Sequence, residues 1–132
     1  MILGIGIDLL NISRIEALNL KFQDKFAFKI LSEDEFKEYN KSKYKIEFLS
    51  KRFCVKEAFS KALGTGMGRG INFVDITVKH DILGKPIILL SDKAYSILES
   101  IFKVEIDNIQ INVSITDEKP YVNSFVVISS IK

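Results

Sequence analysis

The chain has one cysteine and one histidine among 132 residues. A lone cysteine excludes an internal disulfide framework and fits a reducing compartment, so a cytoplasmic setting is expected. With a single histidine beside it, the chain also has too few soft ligands for a structural zinc site. No run approaches the ~20 apolar residues of a membrane span, and no membrane role is expected. The first residues, Met1-Ile-Leu-Gly-Ile-Gly-Ile-Asp8, follow no basic leader, so no signal peptide is expected. Internal repeats, low-complexity tracts and linkers are also missing. A net charge of +2 is too small to argue for nucleic acid as a partner, although Lys and Arg cluster before residue 61.

What is present reads as an ordinary globular chain, 47% apolar and 27% charged. Its length suits one domain, residues 1–132, with a proper core. Ile2 to Leu9 is a short Ile-rich run, read as a buried strand that carries Gly4 and Gly6. Asn11 and Ser13 are both N-cap types, and Ser13-Arg-Ile-Glu16 has the spacing of a capping box, which predicts a short helix bearing Arg14, Ile15, Leu18, Lys21 and Phe22. A second helical segment is expected near Phe26 to Ile30. Another capping box, Ser32-Glu-Asp-Glu35, starts a third, and the basic stretch Lys41 to Lys45 leads into a longer central helix.

That helix carries Arg52-Phe-Cys-Val-Lys-Glu-Ala-Phe-Ser-Lys-Ala-Leu-Gly64. At about 100° per residue, Cys54, Val55, Ala58, Phe59, Ala62 and Leu63 share an apolar arc. Arg52, Lys56, Glu57, Ser60 and Lys61 share the other, with Phe53 as the only apolar intruder. The plain reading is a half-buried helix with a solvated charged face and a Glu57–Lys61 pair at i,i+4. Gly64 is placed to end the helix, and Gly64 to Gly70 reads as a mobile loop. Phosphate-cradling glycines precede a helix, whereas these follow one, so a C-cap or lid is the better reading. Beyond the loop the period changes to two. A hairpin is expected around His80-Asp-Ile-Leu-Gly-Lys-Pro86, then a helix capped at Ser91-Asp92 and running to Phe102. Strands at Ile109–Ile115 and Tyr121–Ile128 close an α+β domain, with helices gathered in the first half.

Two acids stand out against apolar or basic surroundings: Asp8 at the end of the first strand and Glu57 on the central helix. A buried Asp needs donors, a cation or a metal; an exposed strand end needs none, and the sequence leaves both open. If strand and helix pack together, the two carboxylates converge and suit Mg²⁺, which takes one or two carboxylates together with phosphate oxygens and waters. Arg52, Lys56 and Lys61 would then face the ligand's remaining charge, the arrangement phosphoryl transfer needs. His80 reads as a surface residue and Cys54 as core.

Taken together, Gly4-Ile-Gly-Ile-Asp8, Arg14-Ile15, the block Arg52 to Gly66, Gly84-Lys-Pro86 and Val113-Ser114 resemble holo-acyl-carrier-protein synthase. That family is the small, single-repeat branch of the 4′-phosphopantetheinyl transferases. The resemblance spans nearly the whole chain, and its most specific part is the central block. It implies the 4′-phosphopantetheinyl transferase fold, with helices packed on an antiparallel sheet. The activity it implies is transfer of 4′-phosphopantetheine from coenzyme A to a serine of acyl carrier protein, in fatty acid biosynthesis, releasing adenosine 3′,5′-bisphosphate. By motif, Asp8 and Glu57 become Mg²⁺ ligands, and Glu57, directly or through a metal-bound water, the base for the serine hydroxyl. Lys61 would neutralise the transferring phosphate, and Arg52 and Lys56 would hold the others. Lys43 matches a basic residue for the 3′-phosphate. Gly84, Lys85 and Pro86 match the loop beside the adenine, and Ser114 a substrate-positioning serine. The resemblance also implies a homotrimer with active sites between subunits. Strands 109–115 and 121–128 suit such an interface, and equally a core within one chain.

The chain departs from the family's pattern at Asp117 and Asn112, where His is frequent. A carboxylate at 117 would repel a 3′-phosphate unless Lys119 or water intervened. Because carrier proteins are acidic, the first helix offers a docking surface: Arg14 and Lys21 as cations, Leu18 and Phe22 for an apolar centre. Two further readings use the same residues. One is a Mg²⁺-dependent nucleotide phosphohydrolase with water as nucleophile; the other is a non-catalytic module that docks an acidic protein.

Overall fold

A computed structural model of the chain describes residues 1–131. Among these, β1 (Ile2–Asn11) is followed by four helices: α1 (Ile12–Phe22), α2 (Asp24–Ile30), α3 (Glu33–Lys41) and α4 (Lys45–Leu63). A 3-10 turn, Phe73–Asp75, leads into the hairpin β2 (Ile76–His80) and β3 (Pro86–Leu90). Then come α5 (Asp92–Phe102), a second 3-10 turn at Ile106–Asn108, β4 (Ile109–Glu118) and β5 (Tyr121–Ser130). The α+β class expected from the sequence is the one observed. β5 lies between β1 and β4, antiparallel to both, and β2–β3 stand apart as a two-stranded sheet.

The glycines of β1 explain how α4 comes to lie on this sheet. A Cβ on Gly6 would sit 1.9 Å from the Ala58 carbonyl oxygen, and one on Gly4 would sit 2.0 Å from that of Ala62. No side chain fits there, so strand and helix backbones touch directly. Ser124, opposite Asp8 in register, closes the contact by donating its hydroxyl to the Cys54 carbonyl oxygen. β1 thereby presents the chain around Asp8 to the α4 face that carries Glu57 and Lys61.

α4 does not have the solvated charged face its pattern suggests. The sheet covers one side and α1, α2, α3 and the hairpin cover most of the rest. Arg52, Lys56 and Ser60 are buried together with the apolar arc. Phe53 stacks on Phe73 at 5.6 Å, so the apolar intruder belongs to a second core under α1 and α2. The Ser32–Glu35 capping box forms as expected, and Ser91 caps α5. α1, however, begins at Ile12, and its cap is Asn11, whose side chain accepts from the Ser13 N–H. Ser13 already lies inside the helix, so the Ser13–Glu16 box is replaced. Gly64 ends α4 at φ +81°, the left-handed C-cap its position predicts. Cys54 is core, and burial pushes its thiol up to about 12.

The sheet has two different faces. Ile109, Ile111, Val113 and Ile115 point inward and pack in or against the core, as do Val126 and Ile128. The alternate residues turn outward. Ile5 pairs with Val127, Ile7 with Phe125 and Leu9 with Asn123. On this outer side Ile5, Ile7 and Leu9 are 58, 56 and 66% exposed, and Phe125 is 41% exposed. The inward residues of β4 are thus spent on this chain's own core. An interface between subunits, if it uses this sheet, has to use the β1 and β5 residues that face the other way.

Candidate active site

Asp8 and Glu57 come together. Asp8 faces α4 from β1 with its side chain 15% exposed, and Lys61 reaches back from α4 to meet it. The Lys61 ammonium donates to Asp8 Oδ1 at 3.1 Å and to the Ile7 carbonyl oxygen at 2.9 Å. The i,i+4 partner read from the sequence, Glu57, is therefore not the group Lys61 engages most closely. Burial raises the Glu57 pKa above the usual carboxylate range; the negative field of Asp8 raises it further, and Arg14 and Lys61 partly oppose both. Two carboxylates held near each other in a half-buried place disfavour their own charge, and added positive charge relieves that cost.

Next to Glu57 opens a cavity of about 450 Å³ between α1, α2 and α4. Its apolar wall comes from Leu18, Phe22, Phe26, Phe53 and Phe73. Arg14, Lys25 and Lys29 add positive charge around it, and the Arg14 guanidinium lies 5.5 Å over the Phe53 ring. Three of the four residues expected for carrier docking, Arg14, Leu18 and Phe22, line this cavity. Lys21 does not; its ammonium lies over the Phe22 ring at 5.2 Å. Lys25, Lys29 and Phe26 were not singled out from the sequence. Their signal was a cation repeating every four residues beside an aromatic, on a helix too short to draw attention.

Lys56 has to be reassigned. Its ammonium is fully buried and donates to Glu35 Oε1, the Ile30 carbonyl oxygen and the Phe73 carbonyl oxygen, which uses all three of its protons. It has nothing left for a phosphate. Arg52 is also drawn in: its side chain is 8% exposed, 3.6 Å from Glu38, and its guanidinium lies 3.7 Å over the Phe48 ring. Its Nε has no hydrogen-bond partner among the described residues. Burial, and then the positive charges of Arg52 and Lys51, lower the pKa of His80 at the end of β2, the strand that leads into the turn bearing Gly84 and Lys85. Lys43 is exposed in the connection before α4. The neighbour of Asp117 is Lys51, at 3.9 Å, whereas Lys119 lies 3.9 Å from Glu47. Lys51 therefore offsets the Asp117 charge, the part foreseen for Lys119.

The expected coenzyme A residues thus fall into separate places. Asp8, Glu57 and Lys61 form one group. Arg52 is engaged elsewhere, by Glu38 and the Phe48 ring. Ser114 is opposite Phe125 in register and lies on the outer face of the sheet, the face away from Asp8.

No group of three or more His, Cys, Asp or Glu suited to a metal occurs among the described residues. Asp8 and Glu57 supply hard oxygen donors and net negative charge, which fits Mg²⁺ with most of its shell left to phosphate and water. Comparison with known proteins shows the family of the chain and the likeness of its fold. The profile of the 4′-phosphopantetheinyl transferase superfamily matches residues 4–116. A holo-[acyl-carrier-protein] synthase of Aliivibrio fischeri is 44% identical over 129 residues, 98% of each chain. The holo-[acyl-carrier-protein] synthase of Neisseria meningitidis superposes with a TM-score of 0.89 at 37% identity, covering 98% of this chain and 100% of that one. A holo-(acyl-carrier-protein) synthase of Bacillus anthracis, solved in complex with CoA (3′,5′-ADP), superposes with a TM-score of 0.79 at 36% identity over 98% of both chains.

Proposed function

Since the chain belongs to the 4′-phosphopantetheinyl transferase superfamily and is an enzyme of that kind, we propose that it transfers 4′-phosphopantetheine from coenzyme A to a serine of apo-acyl carrier protein. The observation that carries this reading is the meeting of Asp8, Glu57 and Lys61 beside an apolar cavity edged with cations. Asp8 and Glu57 would hold Mg²⁺, which would neutralise pyrophosphate charge and polarise the reacting phosphorus. Lys61, half exposed and anchored only at its tip, turns toward the phosphate that is transferred. Glu57, directly or through a metal-bound water, takes the proton of the serine hydroxyl. The serine oxygen bonds to the β-phosphorus, the pyrophosphate linkage breaks, and adenosine 3′,5′-bisphosphate leaves.

Coenzyme A would be held at its nucleotide end by Lys43, Arg52, Gly84, Lys85, Pro86 and Ser114. Of these, Ser114 lies on the outer face of the sheet, away from Asp8. Such a division suits a site assembled between subunits, and the apolar outer sheet face suits a homotrimer that assembles it. None of the described helices is long and apolar enough to cross a membrane, and a cytoplasmic setting accords with the activity. The phosphohydrolase reading leaves the cavity and its cations without a role. The docking-module reading leaves the paired carboxylates without one.

The cavity also supports a reading of how the carrier is held. An acidic helix that brings an apolar side chain to Phe22, Phe26 and Phe53 would set its carboxylates beside Arg14, Lys25 and Lys29. Arg14→Glu raises KM for the carrier about tenfold or more, because opposed charges at an interface can cost several kcal/mol. KM for coenzyme A stays near the wild-type value, and added salt weakens carrier binding more in wild type than in the variant. Steady-state kinetics with each substrate varied in turn checks this. An unchanged carrier KM at low salt would move the docking surface elsewhere.

A further inference from the structure

Lys56 and Glu35 take no part in the chemistry above, yet their side chains are 0% and 1% exposed. Burying such a pair has to be explained, since apolar residues of the same volume are often as stable or more so. Their bonds reach five elements. Glu35 Oε1 accepts from the Ser32 N–H as the α3 capping box, and Oε2 accepts from the Val78 N–H of β2. Lys56 donates to the Ile30 carbonyl at the end of α2, at 2.7 Å, and to the Phe73 carbonyl in the 3-10 turn, at 3.0 Å.

Ile30 and Phe73 both line the cavity beside Glu57. Lys56 is the residue before Glu57 on α4. One ammonium therefore fastens two separate stretches of cavity wall to the helix that carries the carboxylate. Phe73, held by its carbonyl, is then stacked on Phe53 to complete the aromatic side. Apolar packing by itself would let Ile30 and Phe73 slide along α4; hydrogen bonds to fixed carbonyls do not.

We propose that Lys56, backed by Glu35, is a positioning pair that sets the width of this cavity against Glu57 and so determines how tightly the acidic carrier protein is held. This rests on the reading that the carrier docks at the cavity. It gives Lys56 a part in carrier recognition rather than in phosphate binding.

Two variants test it. Lys56→Met combined with Glu35→Gln removes both charges at nearly constant volume, so no lone charge is left buried. Lys56→Arg keeps a positive charge opposite Glu35 but replaces the compact ammonium with a planar fork that does not fit the same three acceptors. For each, circular dichroism and thermal melting establish folding, and KM is measured separately for carrier and coenzyme A. The folded variants raise carrier KM by about three- to tenfold, the scale on which residues in a coupled network act. KM for coenzyme A and kcat at saturating carrier stay near wild type. A folded variant of either kind with wild-type carrier KM overturns the proposal. So does failure of both to fold, which would make the pair purely structural. Arg14→Glu is run alongside. If it too leaves carrier KM unchanged, the docking reading has failed; if it raises carrier KM while the Lys56 variants do not, only this inference has.

Discussion

Asp8→Ala and Glu57→Ala each lower turnover in Mg²⁺ by about 10² to 10³, the usual cost of removing one electrostatic group from such a site. Neither change should unfold the protein. Lys61 is half exposed and keeps its bond to the Ile7 carbonyl when Asp8 is truncated, and Glu57 is a half-buried residue whose charge is disfavoured in the folded state. Thermal melting at wild-type temperature together with collapsed turnover is the expected pair of results. Activity within a few-fold of wild type in either variant, with EDTA still inhibiting the wild-type protein, would remove these residues from the metal site.

The second large effect concerns assembly. Phe125→Lys, or Ile7→Lys, places a charge in the middle of the apolar outer face formed by Ile5, Ile7, Leu9 and Phe125. Monomers rarely leave a contiguous apolar patch of this kind exposed. The expected outcome in sedimentation is a trimeric wild type and a folded, monomeric variant whose transfer activity is lost, because a shared site is then incomplete. Ile111 and Val113, which the strand pattern made the natural targets, are the wrong choice. They point into the core, and a lysine there would unfold the chain rather than dissociate it. A wild-type monomer with full activity would contradict the shared site.

Local rules made much of this architecture legible. Alternation marked β4, β5 and the hairpin. Ser32-x-x-Glu35 and Ser91 marked helix starts, and Gly64 marked an end. Asp8 was conspicuous as an acid in an apolar run, and Glu57 as an acid in a basic block. What the sequence hid depends on contacts between distant stretches. A helical wheel divides α4 into two faces only if one face is wet, and here neighbours cover it nearly all round. Lys56 can be buried only because Glu35 lies 21 residues upstream and the Ile30 and Phe73 carbonyls 26 and 17 residues away. Nothing in Val55-Lys56-Glu57 announces them. The same holds for Lys61, whose partner Asp8 is 53 positions away, and for Lys51, which answers Asp117 from another element. At α1, Asn11 and Ser13 are both good caps, and the choice fell to Asn11 because the chain leaves β1 there.

The central claim is tested most directly by incubating the purified protein with coenzyme A, Mg²⁺ and an apo-acyl carrier protein, then weighing the carrier by mass spectrometry. The carrier should gain the mass of one phosphopantetheine group, located on a serine, and the gain should vanish with EDTA or when that serine is alanine. A carrier of unchanged mass, with coenzyme A either intact or hydrolysed by water, would contradict the account.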